Sequence, residues 1–308
     1  MTDVLATHRL VIVTGKGGVG KSLLASTLAA LCADRGLNTI LVTLDTRDDR
    51  HPVLDVPLEY TPYQVAPGFA VSRVDAFAAV AEYARRMLPL SMFYEGFFRS
   101  RAFRDFATAA PGFEDLMCLG KLYNLAVQSE FDRVIFDAPA TGHLRELLEV
   151  PALTQRAVRV GPLNHNARKI QDLLLDAERT HVLVATLAEE MPVQEAMEIV
   201  DACRALRMSV GPVLVNRRLE RPISHDEQRA LAARRDAAPG VSEVAAAAID
   251  AALDMASRRD AQDEALEPLR ARRLPMLAIP WVADPGSTPA ALMASVGGPL
   301  GALLGSAR

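Results

Sequence analysis

Short apolar runs of strand length alternate along this chain with longer stretches whose apolar residues recur at helical spacing. Leu10 to Thr14 is an unbroken apolar and β-branched run, as a strand buried on both faces requires. A glycine-rich loop follows, then a helical pattern from about Gly20 to Arg35 carrying Leu23, Leu24, Leu28, Leu31 and Cys32. That helix is apolar almost all round, which predicts burial. Gly36 stands where a helix end favours positive φ. Thr39 to Leu44 predicts a second strand ending at Asp45, and Val134 to Phe136 a third, bracketed by Asp132 and Asp137. His181 to Thr186 reads as a fourth strand, followed by a helix from about Pro192 to Leu206. Val213 to Val215 is a fifth, ending at Asn216, and Leu274 to Ile279 is the last, with a helix closing the chain. This alternation predicts an α/β fold, a mainly parallel sheet with helices on both faces.

The stretches between these elements are less regular. Residues 46–71 read as loop, because Pro52, Pro57, Pro62 and Pro67 break any helix. Residues 72–130 read as a helical insert, 152–178 as a short helical segment, and 223–272, rich in alanine and charge, as helices. No internal repeat or low-complexity linker divides the chain, so residues 1–308 are expected to form a single domain with a small helical subdomain.

Half of the residues are apolar and 23% are charged, enough apolar content for a substantial core. The formal net charge of -4 gives no electrostatic case for nucleic acid or an anionic membrane. The N-terminal residues lack the basic start and apolar run of a signal peptide. No run approaches the roughly 18 uncharged apolar residues of a membrane span, so no integral membrane segment is expected. Cys32, Cys118 and Cys203 are scattered and form no CxxC pair. They read as free core thiols in a cytoplasmic protein, not as a zinc clasp.

The strongest chemical signal is Gly15-Lys16-Gly17-Gly18-Val19-Gly20-Lys21-Ser22, which fits GxxxxGK[ST] between a predicted strand and a predicted helix. Glycines let consecutive amides turn toward one anion, and the helix start adds partial positive charge. Lys21 suits the β- and γ-phosphates of a nucleotide, and the Ser22 hydroxyl suits Mg²⁺. Ligands of open α/β sheets sit at the carboxyl ends of the strands. Asp45 and Asp137 fall there, each also readable as a strand-end turn residue.

Lys16 is a second lysine that an ordinary phosphate loop does not need. With it, the loop resembles those of the deviant P-loop ATPases, the ArsA, guided-entry, MinD and ParA group. The resemblance implies an ATP- and Mg²⁺-dependent hydrolase in which Lys16 reaches across a dimer interface to the partner's nucleotide. Asp137-Ala138-Pro139-Ala140-Thr141-Gly142-His143 resembles the second switch of that group, which makes Asp137 the metal-side aspartate and gives Pro139, Gly142 and His143 a role in sensing the γ-phosphate. Asp45 matches the aspartate that orients the attacking water, but the chain continues Thr46-Arg47-Asp48-Asp49 where relatives read Pro-Ala-His, so Asp48 and Asp49 compete for that role. Asn216 matches the adenine-recognising asparagine, with a strand-end turn as the alternative, and the loop at Pro280 and Trp281 is expected to flank the base, with ordinary packing the alternative for Trp281.

Three further stretches narrow the likeness to bacterial ArsA-related, guided-entry-like ATPases. They are Pro111-Gly112-Phe113-Glu114-Asp115, Val160-Gly161-Pro162-Leu163 with Asn164, and Glu189 to Glu195, reading EEMPVQE. The chain holds one such unit, so a lysine acting in trans implies a homodimer or a heterodimer with a paralogue. A nucleotide-dependent scaffold or a weakly hydrolysing partner subunit is the alternative, and a MinD- or ParA-like spatial regulator ranks behind both. The client is unassigned. The aromatic and methionine residues between Met87 and Phe106 are expected to form the core of the helical subdomain, and Ala290 to Leu304 a packing helix.

Overall fold

In the structure, a computed structural model, residues 8–44, 49–87, 112–237, 242–282 and 289–304 are described. Eight strands form one sheet: β1 (Leu10–Gly15), β2 (Thr39–Leu44), β3 (Tyr63–Ala66), β4 (Phe69–Val74), β5 (Arg133–Asp137), β6 (Thr180–Leu187), β7 (Val213–Arg218) and β8 (Met276–Pro280). Their order is β3-β4-β2-β5-β1-β6-β7-β8, and every pairing except β3 with β4 is parallel. The helices are α1 (Lys21–Asp34), α2 (Ala76–Met87), α3 (Phe113–Val127), α4 (Thr141–Ala157), α5 (Pro162–Leu175), α6 (Glu190–Ala205), α7 (His225–Ala237), α8 (Glu243–Ala265), α9 (Glu267–Ala271) and α10 (Pro289–Gly301). The expected α/β architecture, a mainly parallel sheet covered on both faces, is what the chain adopts.

The core is split by the sheet. Leu10, Ile12, Val134 and Phe136 pack toward α2–α6, whereas Val11, Val13, Leu41 and Ile135 pack toward α1 and α10. The predicted burial of α1 follows from this arrangement. Leu24, Leu28 and Cys32 are covered, and on its far side Thr27 and Leu31 approach Gly297 of α10. Gly36 closes α1 with φ 82°: its N–H donates to Ala33 O and that of Leu37 to Cys32 O, the paired geometry of a Schellman end.

Two expectations change. Residues 63–74 are not loop and helix but the β3–β4 hairpin, with β4 paired to β2 along Thr39–Leu44. The prolines that forbid a helix do not forbid a strand; Pro67 and Gly68 (φ 71°) make the turn, and Phe69, Val71 and Val74 lie buried beyond it. Residues 152–178 are likewise not one short segment: α4 starts at Thr141 and runs through Pro151, and α5 follows after Gly161. The aromatic stretch from residue 88 to Phe106 lies outside the described residues. The three cysteines are buried and none is in a disulfide.

At the amino ends of β1 and β6, the end of the strands opposite the glycine loop, His8 and His181 stack with ring centroids 4.7 Å apart, and His181 Nδ1 lies 2.8 Å from Ser209 Oγ. Burial, aided by His8, pushes the His181 imidazole down to about 4, and burial alone does the same for His51. Both rings are therefore neutral in the fold, while in the unfolded chain they gain protons near pH 6.5. Stability is complete above that pH and falls as pH drops toward 4. Urea unfolding between pH 7.5 and 5 should show the midpoint decreasing with acidity, with a shallower slope in His181→Gln; an identical slope in both proteins would contradict this assignment.

Candidate functional site

Residues 15–20 have to leave a buried strand and enter a buried helix, which restricts what can stand there. Gly15 has φ 148°, and a β-carbon on it would run into the Ala185 carbonyl of β6. Gly20, the residue before α1, has φ 93°, and a β-carbon there would meet the Asn216 side-chain amide. Only glycine fits either place. Gly17 and Gly18 form the exposed tip of the loop, and Val19 is its buried anchor.

Asn216 sits on β7 with 4% exposure. Its Nδ2 donates to Val19 O at 2.8 Å, and its Oδ1 accepts from Arg217 N at 2.9 Å. The side chain thus ties β7 to the loop, a bracing role that nothing in the sequence pattern signals. Trp281, after β8, is exposed, and its N–H donates to Arg218 O at the end of β7.

The charged groups gather around the start of α1. Lys21 Nζ donates to Lys16 O at 3.0 Å. Burial lowers the Lys21 ammonium from its usual range, and the nearby Asp137 carboxylate opposes that shift. Ser22 Oγ donates to Asp137 Oδ2 at 2.6 Å, across from β5. The other carboxylate oxygen, Oδ1, is buried and without a hydrogen-bond partner among the described residues. Burial raises the Asp137 carboxyl, and the Ser22 hydroxyl and Lys21 pull it back. Thr43, opposite Asp137 in the β2–β5 register, adds a second buried oxygen with no partner there. An acceptor left open beside a hydroxyl is the oxygen-rich setting that Mg²⁺ prefers, often through water.

Lys16 behaves differently from Lys21. Its ammonium leaves the loop and pairs with Glu195 Oε1 on α6 at 2.7 Å. Glu195 belongs to the EEMPVQE stretch, but no sequence rule links it to Lys16.

The structure therefore brings together Gly15 to Ser22, Asp137 and Asn216. Pro139 follows Asp137 in the link to α4, and Gly142 and His143 lie in the first turn of that helix. Asp45 and Asp48 lie outside the described residues. Asp49, the third acidic candidate, is directed outward, 96% exposed and 3.8 Å from Arg73 on β4.

Residues 8–163 match the family model described as anion-transporting ATPase. ATPase BagA of Mycobacterium tuberculosis (strain H37Rv) is 30% identical, over 91% of this chain and 89% of its own length. ATPase ASNA1 homolog 1 of Paramecium tetraurelia is 26% identical, over 49% of this chain and 46% of that protein. An arsenical pump-driving ATPase of Escherichia coli is 27% identical, over 62% of this chain and 32% of that protein.

The contact between Gly20 and Asn216 makes a thermodynamic prediction. Asn216→Ala strands the Val19 carbonyl and should cost about 1–3 kcal/mol. Gly20→Ala should cost a similar amount through its positive φ and the clash, about 1–3 kcal/mol for the backbone alone. In the double variant the clash is gone, so the two losses should fall short of additivity by about 0.5–3 kcal/mol. Chemical denaturation of the four proteins measures this; simple additivity would argue that the two residues are independent.

Proposed function

The chain belongs to the anion-transporting ATPase family, and from that premise we propose that it is a Mg²⁺-dependent ATPase whose residues 15–22 bind ATP and which works as a dimer. The observation that supports this best is the Ser22–Asp137 pair, one hydroxyl and one half-satisfied carboxylate at the head of the helix that the phosphate loop opens. Ser22 and Asp137 would hold the ion, which when bound neutralises phosphate charge. The loop amides and the N-terminus of α1 receive the phosphates. Lys21, already inside the loop, lies where a β- or γ-phosphate oxygen can replace the Lys16 carbonyl as its acceptor. Asn216 fixes the loop and faces the nucleotide's base from β7, with Trp281 beyond it. Asp45 orients the attacking water, and Pro139, Gly142 and His143 relay the presence of the γ-phosphate to α4. Lys16 serves the nucleotide of a second chain, identical or paralogous.

Residues 1–308 act in this reading as one cytoplasmic ATPase domain, with α2 and α3 as the described part of its helical insert. No helix among the described residues is long and apolar enough to cross a membrane. The client is a separate matter. Cys32 lies on one face of the sheet and Cys118 and Cys203 on the other, all buried, so these thiols do not form a soft site for arsenite.

A second reading, a weakly hydrolysing subunit paired with an active paralogue, is favoured by the first switch. Asp45-Thr46-Arg47 departs from the family pattern, and Asp49 points to Arg73 instead of the loop. In that arrangement this chain binds ATP and lends Lys16 to its partner.

Turnover assays separate the two. We expect ATP hydrolysis that falls to background in Lys21→Ala, and by about 10³-fold or more in Lys16→Ala with Mg·ATP binding retained. Equal rates in the wild type and Lys21→Ala would remove the ATPase reading. Tight binding without turnover by the chain alone would select the second.

A further inference from the structure

The two lysines of the loop are held in opposite ways. Lys21 is turned into the loop, against a main-chain carbonyl. Lys16 is turned out of it, against a carboxylate of a different element: Glu195 lies one helical turn beyond Met191, near the start of α6. An ammonium bonded to a carboxylate at 2.7 Å has three N–H donors, but part of its charge is compensated and its position is fixed by α6, so a phosphate oxygen has to compete with Glu195 for it. Both side chains are partly exposed, 35% for Lys16 and 26% for Glu195, so the pair is weak enough to exchange for a stronger anion.

The carboxylate also has somewhere to go. Glu195 lines a cavity of about 260 Å³ between α4 and α6, and Arg145 of α4 lines the same cavity. That helix begins immediately after Asp137-Ala138-Pro139-Ala140, and its Arg145 pairs with Glu149 at 3.0 Å, so the cavity wall facing Glu195 rides on the segment that follows Asp137.

We propose that Glu195 is a positioning residue for Lys16: it holds the lysine away from the loop, and Mg·ATP competes with it for the ammonium. This rests on the ATPase reading above and adds to it a defined internal competitor for the nucleotide. The triphosphate carries several charges against one on Glu195, so bound nucleotide wins, but at a reduced apparent affinity. Glu195→Gln keeps the shape of the side chain and removes its charge.

Zero-length carbodiimide crosslinking of the full-length chain, read by peptide mass spectrometry, reports the pair without any substitution. A Lys16–Glu195 crosslink should form without nucleotide, and its yield should fall about two- to fivefold with a non-hydrolysable ATP analogue and Mg²⁺. No crosslink without nucleotide, or an undiminished yield when calorimetry shows the analogue bound, overturns the proposal. If calorimetry shows no binding, the ATPase reading fails and the competition with it; the persisting crosslink then distinguishes that failure from a missing Lys16–Glu195 contact. As a second arm, Glu195→Gln should lower the calorimetric Kd for the Mg²⁺-loaded non-hydrolysable analogue about two- to fivefold in the wild-type background and leave it unchanged in Lys16→Ala. A purely structural Glu195 would shift the Kd equally in both backgrounds, and that result also overturns the proposal.

Discussion

The geometry of this protein turns on a backbone constraint at the end of β1. That strand is buried along its whole length, with β5 on one side and β6 on the other. The chain must stop pairing, reverse and begin a helix that is itself buried between the sheet and α10. Glycine at 15 lets the backbone pass against the Ala185 carbonyl, and glycine at 20 lets it pass against Asn216. The result is a loop that lies outside strand and helix pairing between Gly15 and Lys21, with its tip at Gly17 and Gly18 exposed. A glycine-rich loop of this kind, opening a helix, can turn consecutive amides toward one anion, which is the physical basis of the phosphate-binding role proposed for it. Its position is the carboxyl end of β1, where the connection to β2 leaves on one face and the crossover from β5 to β6 passes on the other, the kind of crevice that open α/β sheets offer to ligands.

Charge is distributed around that loop so that no group is fully satisfied. Among the described residues Asp137 is bonded through one oxygen, and burial works against its ionised form. Lys21 is near enough to relieve it but is itself partly desolvated. In an isolated domain these would be defects. In a site that receives a metal and a polyphosphate they are complementary, because the cation meets the open carboxylate oxygen and the phosphates meet the ammonium. Lys16 is the exception, since its charge is already matched within the chain by Glu195.

Much of this was legible in the sequence, for reasons that differ by element. β1, the loop and α1 carry a continuous apolar run, a glycine pattern and an all-round apolar helix, each with one structural solution. Gly36 was legible because a helix end with positive φ has few alternatives. The β3–β4 hairpin was not: four prolines exclude a helix, but exclusion of a helix does not choose between loop and strand, and the pairing of β4 with β2 is a long-range event. Asn216 was legible as a strand-end residue of interest but not as a brace, because Val19 is distant in sequence and only the strand order makes them neighbours. Glu195 and Lys16 meet for the same reason, through the adjacency of β1 and β6. Local patterns thus reveal the parts of the site that one segment builds, and conceal those that need two.

The two faces of the sheet are packed in unequal ways, and this bears on how a signal from the loop can travel. On one face α1 lies directly between the sheet and α10, with Gly297 over Thr27 and Leu31 and the Arg35 guanidinium on Gly301 O at 3.1 Å. That layer is fixed at both ends. On the other face α4 has a cavity of about 260 Å³ toward α6 and a groove of about 560 Å³ toward α3 and α5. Interiors packed to native density transmit displacement but do not absorb it, whereas a helix with open volume on both flanks can shift without first displacing its neighbours. α4 is also the helix joined to Asp137 by three residues, Ala138, Pro139 and Ala140. A displacement of Asp137 would therefore meet a closely packed layer through Ser22 and a more open one through α4, so the unequal packing makes α4 the easier of the two to move.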